Sequence, residues 1–227
     1  MQALLDAVGG RVLQIHCSKR TDRALLTRIW TADHGVTIPT VEAEMRPNGA
    51  EGCVLSHRKV ASSLQPPFLV LEDDAVPTAA LRDAEAVFHA VQAVASGEFD
   101  VLYLGGLPSA TFVSKTRFRG VLEGRCLATF AMVVGPRAAA FLRGASFGGV
   151  PIDTQLARSR LRTAFVHPPL FVMAATRSDI GKNDFNRSEK FASLLSTAAP
   201  VWRFVVVWQR ELLVLLLALL LVRLTTK

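Results

Sequence analysis

The sequence predicts an α/β fold with a mostly parallel sheet flanked by helices. Two observations lead there. Short apolar runs of strand type at 12–17, 68–71, 100–106 and 125–135 alternate with helical patterns at βα spacing. Half of the 227 residues are apolar, 13 of them Phe, which is enough to cover such a sheet on both faces.

The elements follow in order. "VLQIHC" (12–17) reads as the first buried strand, and "SKRTDR" after it as a polar loop leading to a short helix at 24–30. The stretch 34–52 mixes a strand with loop punctuation at Pro39, Pro47, Asn48 and Gly49. Residues 53–64 carry apolar side chains at 54, 55, 60, 61 and 64, a helical pattern stopped by "QPP". A buried strand at 68–71 precedes an Ala-rich helix over 78–95, closed by Gly97. "DVLYLGG" (100–106) is a strand running into a Gly-Gly turn. Residues 125–135 form the next strand, and Pro136 opens a helix at the position where proline is best tolerated. The globular part is expected to span 1–199, with an appendage at 200–227.

The net charge of +7, from 26 Lys and Arg against 19 acids, favours an anionic partner: a nucleotide, a phosphorylated sugar or an anionic membrane. No basic run is interleaved with aromatics, so nucleic acid is not expected. Cys17, Cys53 and Cys126 show neither CxxC nor metal-finger spacing and read as small buried hydrophobes. The opening "MQALLDAVGG" lacks the basic start and long apolar run of a secretory signal, so none is expected there.

The far end reads "VWRFVVVWQRELLVLLLALLLVRLTTK". Its unbroken apolar run, 212–222, makes a helix of about 16 Å, short of a hydrocarbon core of about 30 Å. Extension back to Val201 brings Gln209, Arg210 and Glu211 to mid-span, where each charge costs about 2.5–3.5 kcal/mol. The expectation is a membrane-associated C-terminal helix, spanning or lying in the interface, with a buried or dimer-forming helix as the bland reading.

The most informative stretch is "FLVLEDDAV" (68–76): four apolar residues, then Glu72, Asp73 and Asp74. Ligands of such sheets sit beyond the carboxyl ends of the strands, where these acids fall. If the chain stays extended through residue 74, alternation turns Glu72 and Asp74 to one side and Asp73 to the other. Two carboxylates on one face suit a hard divalent ion, Mn²⁺ or Mg²⁺. The bland reading puts the acids at the positive end of a helix.

"VLQIHCSKRTDR", "GCVLSH" (52–57), "FLVLEDDAV", "FDVLYLGG" (99–106), "ATFAMVVGPRAAAFL" (128–142), "PID" (151–153), "HPPLF" (167–171) and "SDI" (178–180) occur in this order. Together, over roughly 11–181, they resemble glycosyltransferase family 25, the lipopolysaccharide-type and collagen-type galactosyltransferases. The resemblance implies a GT-A-like nucleotide-binding domain and a divalent metal. It also implies inverting transfer of a hexose, galactose first, from a UDP-sugar to a hydroxyl of a glycan, glycolipid or glycoprotein. Carried over, Asp74 is the first metal ligand, and Glu72 or Asp73 a second ligand or a nucleotide contact. Asp22, Arg23, His57, Gly105 and Gly106 fall near the donor. Asp153 is the first general-base candidate, with Asp100 and Asp179 behind it. The expected setting is a membrane surface, on its cytoplasmic face, or Golgi or endoplasmic-reticulum membrane in a eukaryotic cell. The chain departs from the family where Met132 stands in place of an aromatic residue.

Bland readings stand beside these. Ser56 and His57 lack an oriented third partner for nucleophilic catalysis, so His57 fixes its helix or touches the donor. Gly105–Gly106 is an ordinary turn or lets the backbone approach a sugar. Lys115, Arg117, Arg119 and Arg125 form a solvated loop or hold diphosphate. Two other functions use the same residues: a non-catalytic glycan-binding relative, and a metal-dependent phosphoesterase or nucleotidyltransferase.

Overall fold

The computed structural model describes residues 1–109 and 113–174. The appended segment 200–227 and Asp179 lie outside the described residues, and among those no helix is long and apolar enough to cross a membrane. The chain runs α1 (Gln2–Ala7), β1 (Val12–His16), α2 (Thr21–Asp33), β2 (Thr40–Glu42), α3 (Gly49–Ser63), β3 (Phe68–Glu72) and β4 (Ala75–Pro77). It continues through α4 (Ala84–Ser96), β5 (Val101–Tyr103), β6 (Leu107–Pro108), β7 (Ser114–Lys115), β8 (Val121–Glu123), β9 (Cys126–Leu127) and β10 (Ala131–Val134). Helices α5 (Pro136–Arg143) and α6 (Ile152–Arg158) precede β11 (Thr163–Val166) and β12 (Phe171–Met173).

Eight strands form one sheet in the order β2-β1-β3-β10-β5-β11-β8-β7. Strands β10 and β8 run against the others. The single strand expected at 125–135 is therefore two pieces, β9 and β10, and the second is antiparallel to both neighbours. The reason is the path of the chain. After β5 the chain leaves at the carboxyl edge as β6, passes through β7 and β8 at the far side of the sheet, and returns as β9 to pair with β6, so β10 starts at that edge and must run back. Ala128, at φ +65°, makes the break between them. This places Ala128 and Thr129 beside the end of β3, where Phe130 O accepts from Glu72 N at 2.8 Å.

The two faces of the sheet bury separate cores. Leu69, Leu71, Leu102, Val133 and Ala164 pack with Leu4 and Leu5 of α1, Trp30 of α2 and Val87 and Ala90 of α4. Phe68, Val70, Tyr103, Met132 and Phe165 pack with Val54 and Val60 of α3, Leu142 of α5 and Leu156 of α6. Strand β3 is thus apolar on both sides, each large side chain contributing about 1.5–3 kcal/mol of burial. That anchorage helps hold the acids that follow it.

Caps define the helices near the site. Asn48 Oδ1 accepts from Ala50 N at 3.1 Å and starts α3, four residues earlier than the apolar pattern predicts. Gly52 is obligatory in α3, since a Cβ there would lie 2.2 Å from Glu44 O. The expected helix over 78–95 is a 3₁₀ turn, Ala79–Arg82, followed by α4. Asp83 Oδ1 caps α4 and Gly97, at φ +64°, closes it.

Candidate functional site

The three acids end β3 at the carboxyl edge of the parallel strands, beside a cavity of about 110 Å³. Arg23, Arg46, Cys53, Ser56, His57 and Asp73 are among the residues lining it. The ladder stops at Glu72, and residues 73 and 74 turn into β4, so neither an extended strand through 74 nor a helix N-terminus describes them. Up to Asp73 the alternation holds. Glu72 belongs to the α3 side of the sheet, and Asp73 meets α2. Asp74 does not return fully to the Glu72 side, because one of its oxygens follows Asp73 to the same arginine.

That arginine is Arg23, buried in the first turn of α2. Its Nη1 lies 2.7 Å from Asp73 Oδ1 and its Nη2 3.3 Å from Asp74 Oδ2. Cys17 N donates to Asp73 Oδ2 at 3.0 Å, and His16 Nδ1 lies 3.3 Å from the same oxygen. Burial pulls the Arg23 pKa down, but Asp74 and Asp73 outweigh it and the net shift is upward. Arg23 thus answers much of the repulsion that a bound cation was expected to answer. Asp74 Oδ1 remains buried with no hydrogen-bond partner. Burial raises Asp74 to about 7; Arg23 opposes this, and the charges of Glu72 and Asp73 add to it.

Glu72 faces a different set of groups. Thr129 Oγ1 donates to Glu72 Oε1 at 2.7 Å, and His57 Nε2 lies 3.6 Å from that oxygen. Burial raises Glu72 to about 7, with the Thr129 hydroxyl pulling the other way and Asp73 reinforcing the rise. His57 Nδ1 lies 3.0 Å from Cys53 O, one helical turn back, and Nε2 is buried without a hydrogen-bond partner. Burial lowers the His57 pKa, against the Cys53 and Thr129 carbonyls and the charge of Asp153. Burial and the charges of Glu72 and Asp153 push the Cys53 thiol well up.

Asp153 opens α6 across this cluster. Its Oδ2 accepts from Ala128 N at 3.3 Å and its Oδ1 from Thr154 N at 2.6 Å. Its charge is felt at Glu72, His57, Cys53 and Tyr103. The Tyr103 hydroxyl is buried without a hydrogen-bond partner, and burial drives its pKa strongly upward.

The remaining sequence candidates lie elsewhere. Asp100 precedes β5 at the opposite, amino edge, where it accepts from Arg162 N at 2.7 Å and pairs with Arg137 at 3.2 Å. It is a turn anchor, away from the acids. Asp22 is exposed and bound to Arg20 at 2.7 Å, whose hydrogen bond holds its carboxyl down at about 2. Gly105 is packed where a Cβ would meet the Phe130 ring at 2.3 Å and Phe171 O at 2.7 Å, and Gly106 turns at φ +93°. Both serve close packing and a turn. Ser56 Oγ donates to Gly52 O and accepts from Glu44 N, both at 2.8 Å, so it braces α3. Thr129, His16, Cys53 and Tyr103 were missed. None has a sequence signal, because the fold alone brings Thr129 and Cys53 to Glu72, His16 to Asp73 and Tyr103 toward Asp153.

No family model matches the chain, and no curated protein matches it. Among solved structures, HddC from Yersinia pseudotuberculosis aligns over 73% of this chain and 72% of its own, at TM-score 0.39 and 9% identity.

Proposed function

We propose that this protein is an inverting glycosyltransferase of the family 25 kind, moving a hexose, galactose first, from a UDP-sugar to a hydroxyl of a glycan, glycolipid or glycoprotein. The observation that carries the reading is the carboxyl-edge cavity with Glu72 and Asp73 in its wall, adjoining Asp74, whose buried Oδ1 has no partner. An orphaned carboxylate oxygen beside a second carboxylate fits a Mn²⁺ or Mg²⁺ held by Asp74 and Glu72. When bound, such an ion would neutralise charge on the departing UDP.

The chain's own residues supply the rest. Arg46 lines the same cavity and offers a guanidinium to a diphosphate. Arg23 is committed to Asp73 and Asp74, so its role is to hold the acids in place instead of gripping the nucleotide. Asp153, fixed by two backbone N–H groups, is the residue to take the acceptor's proton. The apolar run at 212–222, with the partly apolar stretch before it, supports a tail that keeps the enzyme at a membrane carrying its acceptors.

A second reading has its own observation. Arg23 already offsets Asp73 and Asp74, as expected of a non-catalytic relative that needs no ion. One experiment separates them: UDP-sugars are screened for transfer and hydrolysis with and without Mn²⁺, and repeated with Asp74→Asn. Mn²⁺-dependent UDP release that the variant loses supports the transferase. Release of phosphate or pyrophosphate indicates a phosphoesterase or nucleotidyltransferase instead. Absence of both UDP binding and turnover supports the non-catalytic relative.

A further inference from the structure

We propose that Cys53, His57 and Glu72 form a binding site for a borderline-soft divalent metal of the Zn²⁺ class, which shares Glu72 with the oxygen site invoked above but takes sulfur and nitrogen donors in place of Asp74. Among the described residues these three offer donor atoms that all lie within 4.8 Å of one another. Cys53 and His57 stand four apart on α3, which puts them on one face of the helix. Glu72 meets them from the end of β3, so two rigid elements hold the three side chains.

The imidazole supplies an independent reason. A neutral ring carries one N–H, yet both His57 nitrogens face acceptors. Nδ1 lies 3.0 Å from Cys53 O and 3.6 Å from Cys53 Sγ. Nε2 faces Glu72 Oε1 at 3.6 Å without a formed hydrogen bond, and the Thr129 carbonyl also acts on the ring. If Nδ1 keeps the proton for Cys53 O, the Nε2 lone pair points at a carboxylate. A cation between them removes the conflict. A backbone carbonyl orienting one nitrogen so that the other can ligate is the usual support for a metal-bound histidine. The sulfur decides the class of ion, because thiolate and imidazole select Zn²⁺-like metals over Mg²⁺. Cys53 is a free thiol and lines the cavity, which gives an ion a way in. On binding, the Cys53 S–H bond breaks, its proton leaves to solvent and the sulfur–metal bond forms.

Titration of the full chain with Co²⁺ alone tests this. Expected are one equivalent bound, intense tetrahedral d–d bands and a thiolate-to-cobalt charge-transfer band, all removed by competing Zn²⁺. Cys53→Ser should abolish the charge-transfer band. His57→Asn should weaken Co²⁺ by at least about tenfold, the lower bound found even for outer-shell partners. Asp74→Asn should leave the spectrum intact, which separates this site from the glycosyltransfer reading and lets either fail alone. Absence of Co²⁺ binding to the wild-type chain overturns the proposal. So does a weak octahedral spectrum, a spectrum unchanged in a folded Cys53→Ser chain, or one lost in Asp74→Asn.

Discussion

Arg23 Nη1 lies 2.7 Å from Asp73 Oδ1, with the two side chains only 10% and 6% exposed. The same guanidinium reaches Asp74 Oδ2 at 3.3 Å, so one buried cation serves two acids on consecutive residues. Removing one partner of a buried pair is costly because the other charge is left uncompensated. Arg23→Leu should therefore lower unfolding stability by about 3–5 kcal/mol. Arg23→Lys should recover part of that loss, since it keeps the charge and loses the fork. Urea unfolding of both variants checks this. A loss below about 1 kcal/mol, the scale of an exposed pair, would mean that water or another group already neutralises the acids.

The acids also set a pH dependence. Glu72 and Asp74 are both raised to about 7, chiefly by burial. In the unfolded chain carboxylates lose their protons near pH 4. Between these values the folded state binds more protons than the unfolded one, so stability should fall as pH rises from about 4 to about 7. Each group contributes a slope of up to about 1.4 kcal/mol per pH unit. Asp22, held down by Arg20, acts below this window and with opposite sign, and His57, lowered by burial, opposes the decline inside it as pH approaches 6.5. Urea unfolding at several pH values in the presence of a chelator should show the decline. Glu72→Gln and Asp74→Asn should each flatten it. A flat profile in a folded His57→Asn chain, where that opposing group is gone, would contradict the burial of both carboxyls.

Glycine at 105 is a packing requirement. A Cβ there would press on the Phe130 ring and on Phe171 O, which ties β5 to β12 and to the segment entering β10. Gly105→Ala should cost about 1–3 kcal/mol, the usual penalty for overpacking. Thermal unfolding measures it. If stability is untouched while nucleotide binding falls, the residue faces a ligand and the packing account is wrong.

Much of the fold was legible because period-2 and period-3.6 patterns depend only on neighbours along the chain. Strands β1, β3 and β5 and helix α5 follow from such runs, and the acids were located from the end of β3 alone. The direction of β10 was not legible, since it depends on the β6–β9 pairing that brings the chain back to the carboxyl edge after β7 and β8. The site was half legible for the same reason. Alternation correctly sends Glu72 and Asp73 to opposite sides, but it cannot foresee the turn that takes an oxygen of Asp74 to Arg23. Cys53 and His57 share a helix face in the sequence, but their third companion, Glu72, comes from another element. A spacing rule within one segment therefore misses them.

Asp153 and Asp100, the first base candidate and one ranked behind it, stand at opposite edges of the sheet. Asp153 stands at the carboxyl edge with Ala128 N and Thr154 N on its carboxylate, close enough for its charge to act on Glu72 and His57. Asp100 is spent at the amino edge on Arg162 N and Arg137. If Asp153 takes the acceptor proton, Asp153→Asn should keep the fold, through an amide oxygen that still accepts from Ala128 N, and lower kcat by about 10²–10⁴. Asp100→Asn should leave turnover near wild type and cost about 1 kcal/mol of stability through its weakened bond to Arg162 N. Steady-state transfer assays on the two variants, with unfolding curves alongside, decide the matter. Equal losses of turnover, or a loss confined to Asp100→Asn, would remove Asp153 from the role of base.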